Sequence, residues 1–352
     1  MQDTLSLFSG KRVLITGDTG FKGSWLSYWL YLLGAEVAGY ALPPERENDL
    51  FNLLGLERLI HHVTGDIRHL EDLERLFREF QPEIVFHLAA QALVRLSYDQ
   101  PRLTFETNVG GSVNVLEAIR ANHSVRVVIF VTSDKCYRNK EWIWGYREND
   151  ELGGRDPYSA SKAAAEMVFA AYHDSFFLPR QEMGFASVRA GNILGGGDWA
   201  VDRLVPDIMK ALIAGKPIVL RNPQATRPWQ HVLDPLAGYL LLATQLYHAP
   251  KSFNGSWNFG PTGEAIQTVL DLTEKIVAHW GSGSITVEKP QDASHEAGML
   301  HLNCDKARRL LGWEPKWAFD KTIKETVLWY RNIMAGESAK SWTERQIKIY
   351  MG

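Results

Sequence analysis

The chain has 352 residues, of which 45% are apolar and 22% charged, and its formal net charge is −3 at neutral pH. That length accommodates two domains, or one large domain with an appended lobe. The slightly acidic balance excludes nucleic acid as a partner, because binding a phosphate backbone needs a basic excess. An anionic ligand must therefore be held by a local arginine cluster.

In chain order, the first half alternates short β-rich runs with helical patterns, as parallel βαβ units do. Strands are expected at 13–16, 36–40, 62–64, 84–88, 127–131 and 186–189. These runs are nearly all apolar, which suits strands covered on both faces. Between the first two, Trp25, Leu26, Trp29, Leu30 and Leu33 recur at helical spacing, and Gly34 follows as a stop. After about residue 190 the alternation weakens, and helices are expected at 203–214, 235–247, 268–280 and 319–334. The expected fold is α/β: a doubly wound, Rossmann-like parallel sheet with a smaller C-terminal substrate-binding lobe. Residues 1–189 would form the dinucleotide-binding domain, with the chain crossing back at 230–250, and 190–229 and 251–352 would form the lobe.

Three clusters carry chemistry. Gly17-Asp18-Thr19-Gly20-Phe21-Lys22-Gly23 lies between the first strand and the first helix. There Gly17 would permit the tight turn, Gly20 the approach of a pyrophosphate, and Gly23 close helix packing. The helix N-terminus would offer free N–H groups to the phosphates. Tyr158-Ser159-Ala160-Ser161-Lys162 puts a phenol and an ammonium one helical turn apart. A phenol with a reference pKa of about 10 is a weak base at neutral pH, and a neighbouring ammonium favours its ionised form. The pair suits proton abstraction from a carbinol beside a nicotinamide. Ser133, Asp134 and Lys135 end the fifth strand, where open α/β sheets place ligand-facing residues. An adjacent acid and amine offer what elimination of water requires.

The Gly-x-x-Gly-x-x-Gly spacing resembles the extended short-chain dehydrogenase/reductase superfamily. The runs 132–137, with Ser133-Asp134-Lys135 at their centre, and 20–26 resemble the CDP-glucose 4,6-dehydratases of its nucleotide-sugar-modifying branch. That resemblance implies NAD as cofactor, held by Gly17, Thr19, Gly20, Phe21, Lys22 and Gly23. It adds Asp66 and Ile67 at the adenine, residues Leu88, Ala89, Ala90 and Gln91 passing the ribose and phosphate, and Asn108 shaping the helix of the active site. No acid ends the second strand to bind the adenosine ribose, and Arg46 nearby reads as an ordinary loop arginine, so NAD is favoured over NADP. Tyr158, with Lys162 lowering its pKa and Ser133 hydrogen-bonding the same oxygen, would take the sugar 4-hydroxyl proton as hydride leaves C4. Asp134 would protonate the departing C6 hydroxyl. Lys135 would take the C5 proton, or else stabilise an enolate while Tyr158 takes it. The resemblance implies a 4-keto-6-deoxy sugar as product, on the path to 3,6-dideoxy sugars of cell-surface polysaccharide such as O-antigen.

For the substrate, a nucleotide diphosphate sugar, Asn192, Arg203, Arg221 and Arg227 are the candidates, since arginine fits phosphate oxygens bidentately. The choice of cytosine rests on resemblance alone. His61-His62, His295 and His301 lack ligand spacing, so no metal is expected. Trp142 and Trp144 lie in a loop that would cover the site, meet another subunit, or pack on its own domain. Cys136 and Cys304 cannot build a disulfide framework, and the longest apolar run, 236–246, is too short for a bilayer. A cytoplasmic homodimer or homotetramer without membrane contact is expected. A 4-epimerase would share the glycine turn and the Tyr–Lys pair but have no use for Asp134 and Lys135. A non-catalytic NAD(P)-binding regulator would tend to lose the Tyr or the Lys.

Overall fold

In the computed structural model, which describes residues 2–261, 263–288 and 299–352, seven strands form one parallel sheet. They are β1 Arg12–Thr16, β2 Glu36–Ala41, β3 His61–Thr64, β4 Ile84–His87, β5 Val127–Val131, β6 Gly184–Ala190 and β7 Gly255–Phe259. Their order across the sheet is β7-β6-β5-β4-β1-β2-β3, with every neighbouring pair parallel. The order reverses between β1 and β4, which makes the crevice beyond their C-terminal ends the switch point where such sheets bind ligands.

The main helices are α1 Phe21–Leu32, α2 Leu70–Phe80, α3 Ser112–Ala121, α4 Pro157–Tyr172, α5 Leu204–Ile213, α6 Leu233–His248, α7 Val269–Trp280, α8 Phe319–Met334 and α9 Ala339–Met351. Two apolar layers sandwich the sheet. One holds Trp25, Trp29, Trp257 and Trp329, and the other Leu73, Phe77, Leu116 and Phe169. All five residues of β5 are buried, so its continuous apolar run follows from cover on both faces.

One strand departs from expectation. Gly255–Phe259, assigned from sequence to the second lobe, pairs with β6 as the edge of the central sheet. It is five residues long and lacks the strand–helix rhythm of the first half, which hid it. Helix α6 leads into it and packs on β5 and β6.

Beyond β6, three short strand pairs bind the later segments together. Ile193–Leu194 runs beside Gln230–His231, Thr226–Pro228 opposes Ile266–Thr268, and Ile218–Leu220 runs beside Ile285–Val287. The loop after β5 docks on this part of the chain, with the Tyr146 N–H donating to His301 O and the Asn303 N–H to Tyr146 O, each at 2.9 Å. In that loop Trp142 stacks on Tyr146 at 5.3 Å, while Trp144 stays exposed.

Helix α9 closes over the outer face of α1. Tyr350 meets the Trp29 ring edge-on at 6.0 Å and donates to Asp234 Oδ1 at 2.8 Å, and Tyr28 donates to Glu344 at 3.1 Å. Among the described residues, no helix is long and apolar enough to cross a membrane.

Candidate active site

The turn after β1 is shaped by three glycines with different duties. Gly17 has φ +80°, and a Cβ there would lie 2.7 Å from Ala89 N, so only glycine lets this turn press on residues 88–91. At Gly23 a Cβ would lie 1.9 Å from Gly17 O, which fixes how tightly α1 packs on the turn. Gly20 is different: its nearest neighbour would be Gly17 O at 3.4 Å, so the start of α1 faces open space. The first N–H groups of α1 have no helical acceptors, and this open cradle fits a dinucleotide pyrophosphate. Thr19 donates to Leu42 O at 2.9 Å, tying the turn to the end of β2. Phe21 reaches the loop after β6, where its ring would lie 3.0 Å from a Cβ on Gly195.

Along the rim, Asp66 is held by Arg68 at 2.6 Å, which keeps its carboxyl below the usual range. Ile67 packs against Gly111. Asn108 joins two parts of the site: its side chain accepts from Gln91 N at 2.7 Å and donates to Gln91 O at 3.0 Å and Ser161 Oγ at 2.9 Å. It thereby pins residues 88–91 to the helix carrying Tyr158 and Lys162.

That helix, α4, begins with Asp156 capping the Ser159 N–H at 2.9 Å and Pro157 in the first turn. Tyr158 and Lys162 are both buried. Burial pushes the Tyr158 phenol above its ordinary value; Lys135, the Ser133 hydroxyl and Arg203 oppose the rise, and Asp134 adds to it. Lys135, not Lys162, is thus the leading cation acting on this phenol. Lys162 is itself pushed down to about 8 by burial, with Cys136 and Glu166 working against that.

Ser133 caps the short turn Asp134–Cys136 by accepting the Lys135 N–H at 3.2 Å. It also donates to Asp134 Oδ1 at 3.0 Å, and Lys135 Nζ meets the same oxygen at 3.3 Å. Asp134 Oδ2 is buried without a hydrogen-bond partner, on the side where a Cβ on Gly191 would lie 2.9 Å away. Lys22 was expected to serve the cofactor turn, and its side chain points toward this group. Burial and then the charges of Lys162 and Arg203 push its ammonium down to about 7, with Asp134 opposing. Its Nζ stands 5.9 Å from the Tyr239 ring centre, and the Tyr239 hydroxyl is buried without a partner.

A family profile described as GDP-mannose 4,6 dehydratase matches residues 14–326. The chain belongs to this family. It is 47% identical over 350 residues to a CDP-glucose 4,6-dehydratase of Salmonella typhimurium, covering 98% of each chain. A dTDP-glucose 4,6-dehydratase of Streptomyces venezuelae, solved with NAD and TYD bound, superposes with a TM-score of 0.79 at 25% identity, over 92% of this chain and 98% of that one. A UDP-glucose 4-epimerase of Thermus thermophilus in complex with NAD gives 0.77 at 27% identity, over 91% and 99%. The resemblance drawn from the motifs is borne out.

For this family member, the residues expected at the substrate end are gathered only in part. Arg203 pairs with Asp198 at 3.1 Å and is close enough to act on Tyr158 and Lys22. Asn192 has a buried, unpartnered side-chain oxygen. Arg227 bonds Thr226 O at 2.8 Å, and the next residue, Pro228, borders Gly191 beside Asp134. Arg221 is exposed and acts on Asp207 of α5 rather than on the Tyr158 group. No group of three or more metal-ligating side chains occurs among the described residues; His295 lies outside them.

Two buried pairs escaped the sequence. Glu166, one turn beyond Lys162, receives Arg189 Nε at 2.9 Å and Nη2 at 2.7 Å, Ser187 at 2.9 Å, and Thr132. Burial alone would raise its carboxyl; these partners, led by Arg189, hold it below the usual range. Asp18 receives His62 at 2.7 Å in space that Gly39 leaves open, since a Cβ there would lie 2.0 Å from its carboxylate. Gly39, a glycine inside a strand run, was the available signal of that close approach.

Proposed function

We propose that the protein is a CDP-glucose 4,6-dehydratase, converting CDP-glucose to CDP-4-keto-6-deoxyglucose and water with NAD as a recycled cofactor. The observation that carries this reading is Asp134, an acid with one open carboxyl oxygen on the same turn as Ser133 and beside Tyr158. Oxidation at C4 alone has no use for it; loss of water from C5 and C6 needs an acid there.

The residues of the Gly17 turn would hold NAD, which when bound would supply an acceptor for the C4 hydride and its donor back to C6. Tyr158 takes the 4-hydroxyl proton, assisted by the positive charge of Lys135 and Arg203 and by Ser133. The ketone at C4 acidifies the C5 hydrogen, which Lys135 accepts as a proton after passing its own to the adjacent Asp134 carboxylate, 3.3 Å away. Asp134 protonates the C6 hydroxyl as it leaves, and Gly191 gives its carboxyl room. Lys162 orients the cofactor side of the pocket. Arg203, Arg227 and Asn192 hold the diphosphate and sugar, and Arg221 adds positive charge at the rim. A cleft of about 240 Å³ lined in part by Pro228, His301, Asn303 and Arg308 supports a nucleotide seat next to them.

Cysteines 136 and 304 are both free and buried, which supports a cytoplasmic setting. Exposed Tyr98, Phe105 and Met167 on adjoining elements of the first half support a homodimer or homotetramer. A 4-keto-6-deoxy product would place the protein in making dideoxy sugars such as those of O-antigen. The test is incubation with CDP-glucose and NAD, followed by the alkali-induced absorbance of a 4-keto-6-deoxy sugar. Keto sugar without net reduction of NAD is expected, with UDP-, dTDP- and GDP-glucose as poorer substrates. CDP-galactose in its place would make the protein a 4-epimerase.

A further inference from the structure

Ser112, the first residue of α3, decides how a buried histidine carries its proton. Its hydroxyl lies 2.7 Å from Asn108 O, and a carbonyl oxygen only accepts, so the one hydroxyl proton is spent there. His87 Nε2 stands 3.1 Å from the same Ser112 Oγ and therefore donates to it. Burial, then the positive charge of Lys162, pushes the His87 pKa down to about 3, so the ring is neutral and holds a single proton. With that proton on Nε2, Nδ1 is an acceptor, and Thr16 Oγ1 donates to it at 2.7 Å. The Thr16 oxygen in turn accepts the Ala89 N–H at 3.3 Å.

The two ring nitrogens serve different parts of the site. Thr16 ends β1 and pairs across the sheet with His87, which ends β4. Gly17 follows Thr16, and a Cβ there would press on Ala89 N. The Nδ1 arm therefore holds the junction between the glycine turn and residues 88–91. The Nε2 arm runs the other way, through Ser112 to the main chain of Asn108. From there Asn108 Nδ2 donates to Ser161 Oγ at 2.9 Å, and Ser161 donates to Tyr158 O at 2.7 Å. This arm ends on α4, the helix that carries Tyr158 and Lys162. Thr16, His87, Asn108, Ser112 and Ser161 are all buried, so no water competes for these bonds.

We propose that His87 is a positioning residue for both halves of the site, its Nδ1 fixing the loop that meets the cofactor and its Nε2–H fixing the helix that presents Tyr158. At 2% exposure the ring acts only through these two arms. The first arm bears on the nicotinamide cofactor of this family; the second rests on the dehydratase reading. Asn108 also bonds the N–H and the carbonyl of Gln91, so cutting one arm shifts its target rather than freeing it.

An amide side chain can stand in for either nitrogen but not for both. His87→Asn puts its carbonyl oxygen where Nδ1 is and leaves Ser112 without its donor. His87→Gln puts its amide nitrogen where Nε2 is and leaves Thr16 without its acceptor. Calorimetric titration with NAD, and keto-sugar formation from CDP-glucose at saturating NAD, read the two arms separately. His87→Gln weakens NAD binding about 10-fold, the worth of one buried hydrogen bond, and turns over near the wild-type rate. His87→Asn binds NAD as the wild type does and turns over about 10-fold more slowly, from a misplaced Tyr158. Equal changes in both quantities for both variants, or none in either, would make His87 a packing residue and overturn the proposal. Should either variant not fold, Thr16→Val and Ser112→Ala cut the same two arms at their far ends and must divide in the same way. Wild-type protein that binds NAD but makes no keto sugar from any sugar nucleotide refutes the dehydratase reading instead. The NAD affinities, weakened in His87→Gln and not in His87→Asn, then still decide the proposal.

Discussion

Two carboxylates meet consecutive residues at the end of β5 and have opposite surroundings. Glu166 takes Thr132, Ser187 and both arms of Arg189, and its ion pair is 1% and 3% exposed at the side chains. Asp134 takes Ser133 and Lys135 on one oxygen and leaves the other bare. A buried polar group that is fully partnered holds its elements in register. One left open at a strand end bears an energetic cost that packing does not explain, and in the proposed reaction the substrate completes the arrangement there. The first carboxylate has the surroundings of a scaffold group, and the second those of the acid proposed above.

The comparison breaks most visibly at Glu166. Replacing it with Ala strands Arg189 as a buried unpaired cation, and urea unfolding should show a loss of about 3–5 kcal/mol. Normal stability in that variant would erase the distinction. Asp134→Asn should do the reverse: keto-sugar formation falls about 10²-fold while the urea midpoint stays near that of the wild type. Gly191→Ala sharpens the point more gently, because its methyl would sit 2.9 Å from Asp134 Oδ2. A drop in turnover of about 10-fold is expected from that misplacement, seen in the same assay with the fold intact.

The smallest effect lies with Lys22, whose ammonium is pushed down from the ordinary 10.5 to about 7. Between those values the unfolded chain holds a proton that the folded chain has released, so this group makes stability rise with pH across the window. Thermal melts at stepped pH should show Lys22→Met with a shallower rise than the wild type. Parallel curves would mean that Lys22 is solvated.

Much of this was legible in the sequence because it is local. The glycine turn, the Tyr158–Lys162 spacing and the apolar runs of β1 to β6 are each set within a few consecutive residues, and the structure places them at one switch point. What escaped is long-range. Nothing near Glu166 announces Arg189, which is 23 residues on, and β7 is recognisable as a strand only once β6 is there to pair with it. Lys22 was read through its backbone because the turn motif concerns N–H groups, and its side chain answers to Lys162 and Arg203, far away in the chain. The leading influence of Lys135 on Tyr158 was hidden for the same reason: it depends on how a strand end lies against a helix start.

The docking of α9 on α1 has a consequence for how the chain is made. Tyr28 and its partner Glu344 are 316 residues apart, so the aromatic face of one of the earliest helices to leave the ribosome waits through almost the whole of synthesis for its cover. Contacts so distant in sequence form late, and surface left bare meanwhile invites association with other nascent chains. Expression should therefore respond to growth temperature and to chaperone supply more strongly than the stability of the finished molecule would suggest.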